Sequence, residues 1–173
     1  MPKIKSNITR SYWLVMHYLL LIFLSSCSLF FRSETPESAK GKEYTISSPS
    51  DEWVEKKEQR SDYIFENKND GRIRLSNSFC NEFQDQPLKD LAHKTFKAVG
   101  SFKPGKGDYT TFHHREAYRL RGLGKVDGVA VELYLLNTRR NNCYFDFVAI
   151  TPIGVTFDRV TDFDEFLSTV LFK

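Results

Sequence analysis

The sequence predicts an α+β fold, an antiparallel β-sheet with flanking helices, and three observations carry that expectation. Asp127-Gly128 lies between two runs of strand-forming residues, and this dipeptide is the one that a two-residue hairpin favours. Two segments, one after Pro87 and one at the chain's end, repeat apolar residues at helical spacing. The connections among the last three strands are too short for the crossover that parallel neighbours require. After a leader, the remaining chain holds one domain with a real core and is too short for two.

The first element is that leader, residues 1–26. Lys3, Lys5 and Arg10 form a basic flank with no acid before Cys27, and an apolar run extends from Trp13 to Leu24. This is the layout of a secretory signal. Its last residues with the following cysteine, Leu24-Ser25-Ser26-Cys27, resemble the lipobox of bacterial lipoproteins. The resemblance implies a diacylglycerol on the Cys27 sulfur, cleavage before Cys27 and acylation of the new amine. It thereby implies palmitate-type acyl chains and a lipid-anchored place in the bacterial cell envelope. Ser28 follows the cysteine where an Asp retention signal would stand in enteric lipoproteins, which implies the outer membrane. Two other readings stay open. Tyr12 to Phe31 carries no charge over a length about enough to cross a bilayer uncleaved, although His17, Ser25, Ser26 and Ser28 weaken it. An ordinary secretory signal with an incidental cysteine is the other.

The formal charge of +3 belongs to the leader: Lys3, Lys5 and Arg10 are three of the 25 basic residues, and the 22 acidic residues balance the rest. A neutral mature chain has no electrostatic footprint for nucleic acid. Residues 27–50 are expected to be a flexible tether. From Arg32 to Ser50 it holds Pro36, Gly41 and Pro49 among serines and charges, which would keep the domain roughly 20–25 Å from a membrane. Tyr44-Thr45-Ile46 is the one short strand candidate within it. The single domain is then 51–173, folded from near Trp53.

Tyr63-Ile64-Phe65 and Arg72 to Ser76 read as strands around an Asn67 to Gly71 turn, with Ile73 and Leu75 facing the core and Arg72, Arg74 and Ser76 facing water. Pro87 to Val99 is a helix whose apolar stripe is Leu88, Leu91, Ala92, Thr95, Phe96 and Val99. Asp85 is placed to cap it and Gly100 to end it. Its lysine face reads as solvated. Ser101 to Asp108, with Pro104, Gly105 and Gly107, reads as a loop. Three strands follow: Arg115 to Val126, Val129 to Thr138, and Cys143 to Thr151 after a turn at Arg139 to Asn142. A last helix places Phe163, Phe166, Leu167, Val170 and Leu171 on one stripe, with Thr161 and Asp164 as a near capping box.

Cysteine usage agrees with export. With Cys27 committed to lipid, Cys80 and Cys143 remain as an even pair, and an oxidising compartment favours a disulfide over two separate buried thiols. The bridge would close a loop of about 63 residues, worth on the order of 4 kcal/mol. Neither lies in a Cys-x-x-Cys pair that would suggest redox catalysis.

Catalytic spacing is missing. His113-His114 in a strand would point to opposite faces, so no metal is expected, and none of the zinc or metalloprotease spacings occurs. Asp146 is expected opposite Leu135, with Leu133 and Asn137 as diagonal neighbours and no acid in reach for glycoside chemistry. Gly122-Leu123-Gly124 lacks the third glycine and following helix of a dinucleotide loop, and no cofactor is expected. One constellation remains. If Asp127-Gly128 is a two-residue turn, Leu120, Gly122 and Gly124 share the core face with Val131, Leu133 and Leu135. The other face carries Arg119, Arg121, Glu132 and Tyr134. Arg119, Arg121 and Tyr134 are the candidate partner face, suited to an anion or a peptide. Cross-strand pairing of Arg121 with Glu132 is the favoured plain reading.

A second likeness rests on Ser78-Phe79-Cys80, Leu88 and Leu91, Arg115-Glu116-Ala117, Asp127-Gly128 and Cys143-Tyr144-Phe145-Asp146. Over Trp53 to Phe172 these residues resemble a group of bacterial lipoproteins whose folded part is similar to the PsbP-like α/β/α sandwich. That resemblance implies an accessory or binding role and carries over no catalytic residue. The sequence thus favours a non-enzymatic, lipid-anchored envelope lipoprotein with a possible protein partner, over an envelope enzyme whose site forms only in three dimensions.

Overall fold

A computed structural model describes residues 38–40, 42–57, 61–83, 85–155 and 159–173. The leader and Cys27 lie outside them. Among the described residues, nine strands and two helices follow in the order β1 (Tyr44–Ile46), β2 (Trp53–Glu55), β3 (Tyr63–Asn67), β4 (Ile73–Cys80), α1 (Leu88–Val99), β5 (Ser101–Phe112), β6 (Arg115–Val126), β7 (Val129–Arg140), β8 (Cys143–Pro152), α2 (Arg159–Ser168) and β9 (Val170–Phe172). Seven strands form an antiparallel sheet in the order β2-β3-β4-β8-β7-β6-β5, and β1 pairs with β9 apart from it. Among the described residues no helix is long and apolar enough to cross a membrane.

Three two-residue turns set the register of the long strands. His113-His114, Asp127-Gly128 and Asn141-Asn142 all hold positive φ at both positions. That is the twist-matched hairpin geometry, and Asn, Asp, His and Gly are the residues that tolerate it best. The Asp127-Gly128 hairpin places Leu120 opposite Leu135 and Gly122 opposite Leu133, as the sequence predicts. The third turn differs from expectation. With Asn141-Asn142 at the apex, β7 runs on to Arg140, and Asp146 falls opposite Asn137 instead of Leu135. Two asparagines accept the left-handed pair more readily than a turn centred on Arg140-Asn141 would, so the register moves by two residues and the facing of every side chain is kept.

Both faces of the sheet are covered. On one face α1 seats Leu88, Leu91, Ala92 and Phe96 against Leu120, Leu133, Leu135 and Val148. Gly122 lies under this helix, where an added Cβ would come within 2.5 Å of the Phe96 ring. On the other face α2 and the β1–β9 pair bury Tyr44, Phe65, Phe145, Phe147, Phe163 and Phe166.

This double coverage corrects several expectations. Arg74 and Ser76 are buried rather than solvent-facing, because the back of β4 meets α2 and the N-terminal segment. The expected tether does not extend to Ser50: Ala39, Tyr44 and Ile46 are core residues. Ser101 to Asp108 is not a loop but the first half of β5. As an edge strand it accommodates Pro104 and two glycines through a register shift between Pro104 and Gly107. The last helix stops at Ser168, where Ser168 Oγ and Thr169 Oγ1 donate back to the carbonyls of Glu165 and Phe166. Val170 and Leu171 therefore belong to β9, and Thr161 lies inside α2 rather than capping it. Pro87, not Asp85, holds the N-cap of α1, with no side-chain capping bond.

Candidate functional groove

The alternation of β6 and β7 puts Arg119, Arg121, Glu132 and Tyr134 on the α2 side of the sheet, with Arg121 directly opposite Tyr134. α2 then covers part of this face. Its Phe163 ring lies 5.9 Å from the Tyr134 ring, and Asp164 Oδ1 accepts a 2.7 Å bond from Arg119 Nη2. The Arg119 guanidinium also lies 5.8 Å from the Phe163 ring. Arg121 Nε pairs with Glu132 Oε1, and its guanidinium stacks 5.3 Å from Tyr134. The plain reading of an Arg121–Glu132 ion pair is therefore present. It does not use up the face, because the Arg121 side chain is 58% exposed while Glu132 is fully buried.

Where α2 stops covering the sheet, two clefts of about 430 and 180 Å³ meet at Lys106 and Arg121. The larger runs along β5 and β6 past Lys103 and Leu123, and the smaller runs under α2 past Arg119, Tyr134 and Phe163. The β5 irregularity brings Lys103 and Lys106 to the rim, and neither has an ion-pair partner among the described residues. Leu123 and Val160 are 53% and 46% exposed, so the groove joins a basic rim to apolar patches. Such a surface can hold a carboxylate or phosphate by charge-assisted hydrogen bonds and an apolar segment by burial. Glu132 and Asp108 are its acids, and no nucleophile is set against a base there.

The remaining predicted residues are placed as follows. Cys80 and Cys143 are joined, on directly opposed positions of β4 and β8 with Cα atoms 3.9 Å apart. His113 and His114 form a turn rather than a strand, and His113 packs edge-on to Phe112 and Phe172. The sequence reading missed a buried polar cluster under α1. Asp146, sealed from solvent, accepts from Tyr144 Oη at one carboxylate oxygen and from Thr95 Oγ1 at the other, the latter at 2.7 Å. Asn137 Nδ2 donates to Tyr144 Oη and to the Leu88 carbonyl, each at 2.9 Å. Burial pushes the Asp146 carboxyl up to about 7 and the Tyr144 phenol upward as well. The signal that would have found this cluster is the Asn141-Asn142 turn, which alone brings Asn137 opposite Asp146.

No family model matches the chain, and no curated protein matches it in sequence. Solved structures do share its fold. LpqN of Mycobacterium tuberculosis, a protein involved in cell envelope biogenesis, superposes with a TM-score of 0.56 at 10% identity, over 82% of this chain and 87% of LpqN. Cyanobacterial PsbP (CyanoP) of Synechocystis sp. PCC 6803 gives 0.54 at 13% identity, over 80% and 92% of the two chains. A Bacteroides thetaiotaomicron protein gives 0.52 at 12% identity over 76% of this chain, which spans about half (48%) of that one. The fold is thus α+β with PsbP-like neighbours, as the sequence predicts.

Proposed function

We propose that this protein is a lipid-anchored envelope lipoprotein, held at the outer membrane through Cys27, that acts as a non-enzymatic accessory or binding module. The observation that carries the binding role is the groove between α2 and β5, with Lys103, Lys106, Arg119 and Arg121 around Leu123, Tyr134 and Val160. Likeness of fold to an envelope-biogenesis protein and to PsbP supports an accessory role. An enzyme would place a shifted acid or base in an open cleft. Asp146, the carboxylate that burial shifts upward, is sealed beneath α1 and lines neither part of the groove.

Crosslinking in intact cells, with the captured protein identified by mass, tests the groove. Lys103→Glu with Lys106→Glu should abolish the crosslink while leaving the thermal midpoint unchanged, since both are exposed and surface reversals away from partners cost little. Arg121 is unsuited to this test, because its loss strands the buried Glu132. A folded Lys103→Glu/Lys106→Glu variant that retains the crosslink would remove the groove from the proposed function.

A further inference from the structure

The first described residues lie at one end of the sheet, where three arginines gather. Ser38 Oγ donates to Asp62 Oδ1 at 2.5 Å, and the Ala39 amide donates to Ser78 Oγ at 2.7 Å, beside the end of β4. Glu43 reaches the β7–β8 turn, where its carboxylate accepts from Asn141 Nδ2 at 2.7 Å, and its carbonyl accepts from the Lys173 amide at 2.9 Å. The His113-His114 turn lies at the same end, because Ala117 pairs with Thr138 and so puts Arg115 and Arg140 next on one face.

A cleft of about 320 Å³ opens there between Arg115, Arg139, Arg140, Asn141, Asn142 and the single acid Glu82. Arg115 is exposed and has no ion-pair partner among the described residues. Arg140 is held in place by a 2.9 Å bond to the Lys173 carbonyl and by the Phe172 ring 5.2 Å away. The Nε groups of Arg139 and Arg140 are buried with no hydrogen-bond partner. Arg115 and Arg140 stand on one face, where two guanidiniums repel each other, and an anion seated between them relieves that repulsion.

We propose that this end of the domain docks onto the membrane that holds the Cys27 anchor, with Arg115 and Arg140 seating the phosphate of anionic phospholipid headgroups. The inference rests on the lipid-anchor reading above and deepens it. From Cys27 to Ser38 the chain can span at most about 40 Å. The strand ends beside Ser38 are therefore the part of the domain held nearest the bilayer. A basic residue close to an anionic surface adds roughly 1 kcal/mol, enough for a tethered contact. The Asp127-Gly128 turn and the Lys103 end of the groove lie at the opposite end of strands roughly 40 Å long, where a partner has access.

The test uses the full mature protein reconstituted in phosphatidylcholine vesicles, alone or mixed with an equal share of phosphatidylglycerol. Amide hydrogen exchange at Phe112 to Arg115 and at Arg140 to Cys143 should slow about five-fold in the anionic vesicles. Exchange at Asp127-Gly128 should not change. Arg115→Glu, at an exposed site, should remove most of that slowing while leaving the Asp127 turn unaltered. Equal exchange in both vesicles overturns the docking, and so does equal slowing by inorganic phosphate in neutral vesicles, which would assign the cleft to a soluble anion. Intact mass of the same sample separates the two readings. Acylated Cys27 without protection sinks only the docking, and unacylated Cys27 sinks the anchor and the docking together.

Discussion

Asp146 occupies a place where an ionised carboxylate is costly: sealed beneath α1, with Tyr144 and Thr95 as its donors. Those donors favour the charged form, yet desolvation outweighs them and raises the carboxyl from 3.8 to about 7. The folded chain then binds this proton more tightly than the unfolded chain does. The contribution to stability is complete below pH 3.8 and is lost as pH rises through about 7. By linkage the loss between pH 4 and 8 is on the order of 2–4 kcal/mol. Asp146→Asn keeps the shape and the neutral state, so its thermal midpoint should stay nearly flat where the parent falls. Parallel profiles for the two proteins at pH 5 and 8 would show that Asp146 is charged throughout. No local feature of the sequence announces this acid. Its surroundings depend on a register that a pair of asparagines decides, and on a helix about fifty residues upstream in the chain.

At the scale of the element, α2 is held to the sheet by a buried ionic latch. Asp162, in its first turn, pairs with Arg72 at 2.5 Å and with the fully buried Arg74, and both guanidiniums lie about 5 Å from the Trp53 ring. Burial, with Arg72 adding repulsion, lowers Arg74 to about 9, still protonated at neutral pH. Removing one partner of such a pair leaves an uncompensated charge. Asp162→Asn should thus cost about 3–5 kcal/mol in denaturant unfolding, and adding Arg74→Met should recover much of that loss. If the double substitution is as unstable as the sum of the two single ones, the pair is not coupled. Sequence periodicity located both helices and the strands β6, β7 and β8, which are long, strongly patterned elements, and it missed the equally long β5. It misassigned Arg74 to the surface because alternation shows two faces without showing that both are covered. It extended α2 through Leu171 because the apolar spacing continues there, while the hydroxyls of Ser168 and Thr169 end the helix. In the groove, Arg119, Arg121 and Tyr134 were legible from one hairpin turn. Lys103 and Lys106 were not, because a Pro- and Gly-rich segment reads as loop until an edge strand with a bulge is seen to hold it.

Among the described residues, the domain as a whole is a sheet sealed on one face by a helix and on the other by a helix plus a two-stranded patch. That patch is made from the two ends of the domain: β1 supplies Tyr44 and Ile46, and β9 supplies Val170 and Phe172. Tyr44 is the centre of it. Its ring meets Tyr63, Phe145 and Phe147 edge-on, and its hydroxyl donates to Asp62 at 2.7 Å with Ser76 3.0 Å away. A domain that began at residue 51, as composition alone suggests, would lose this plug. β9 would have no partner strand, and the aromatic cluster of Phe145, Phe147 and Phe172 would face water. Burial of one large aromatic contributes about 3–5 kcal/mol when it is cut back to Ala, comparable to a third or more of a domain's net stability. A chain beginning at Ser38 should therefore unfold in one cooperative transition, whereas a chain beginning at Asp51 should bind a hydrophobic dye and lose near-ultraviolet dichroism while keeping its far-ultraviolet signal. Equal cooperativity in the two would return Ser38 to Ser50 to the tether. It would also lengthen the reach between Cys27 and the basic end, and the docking geometry would relax with it.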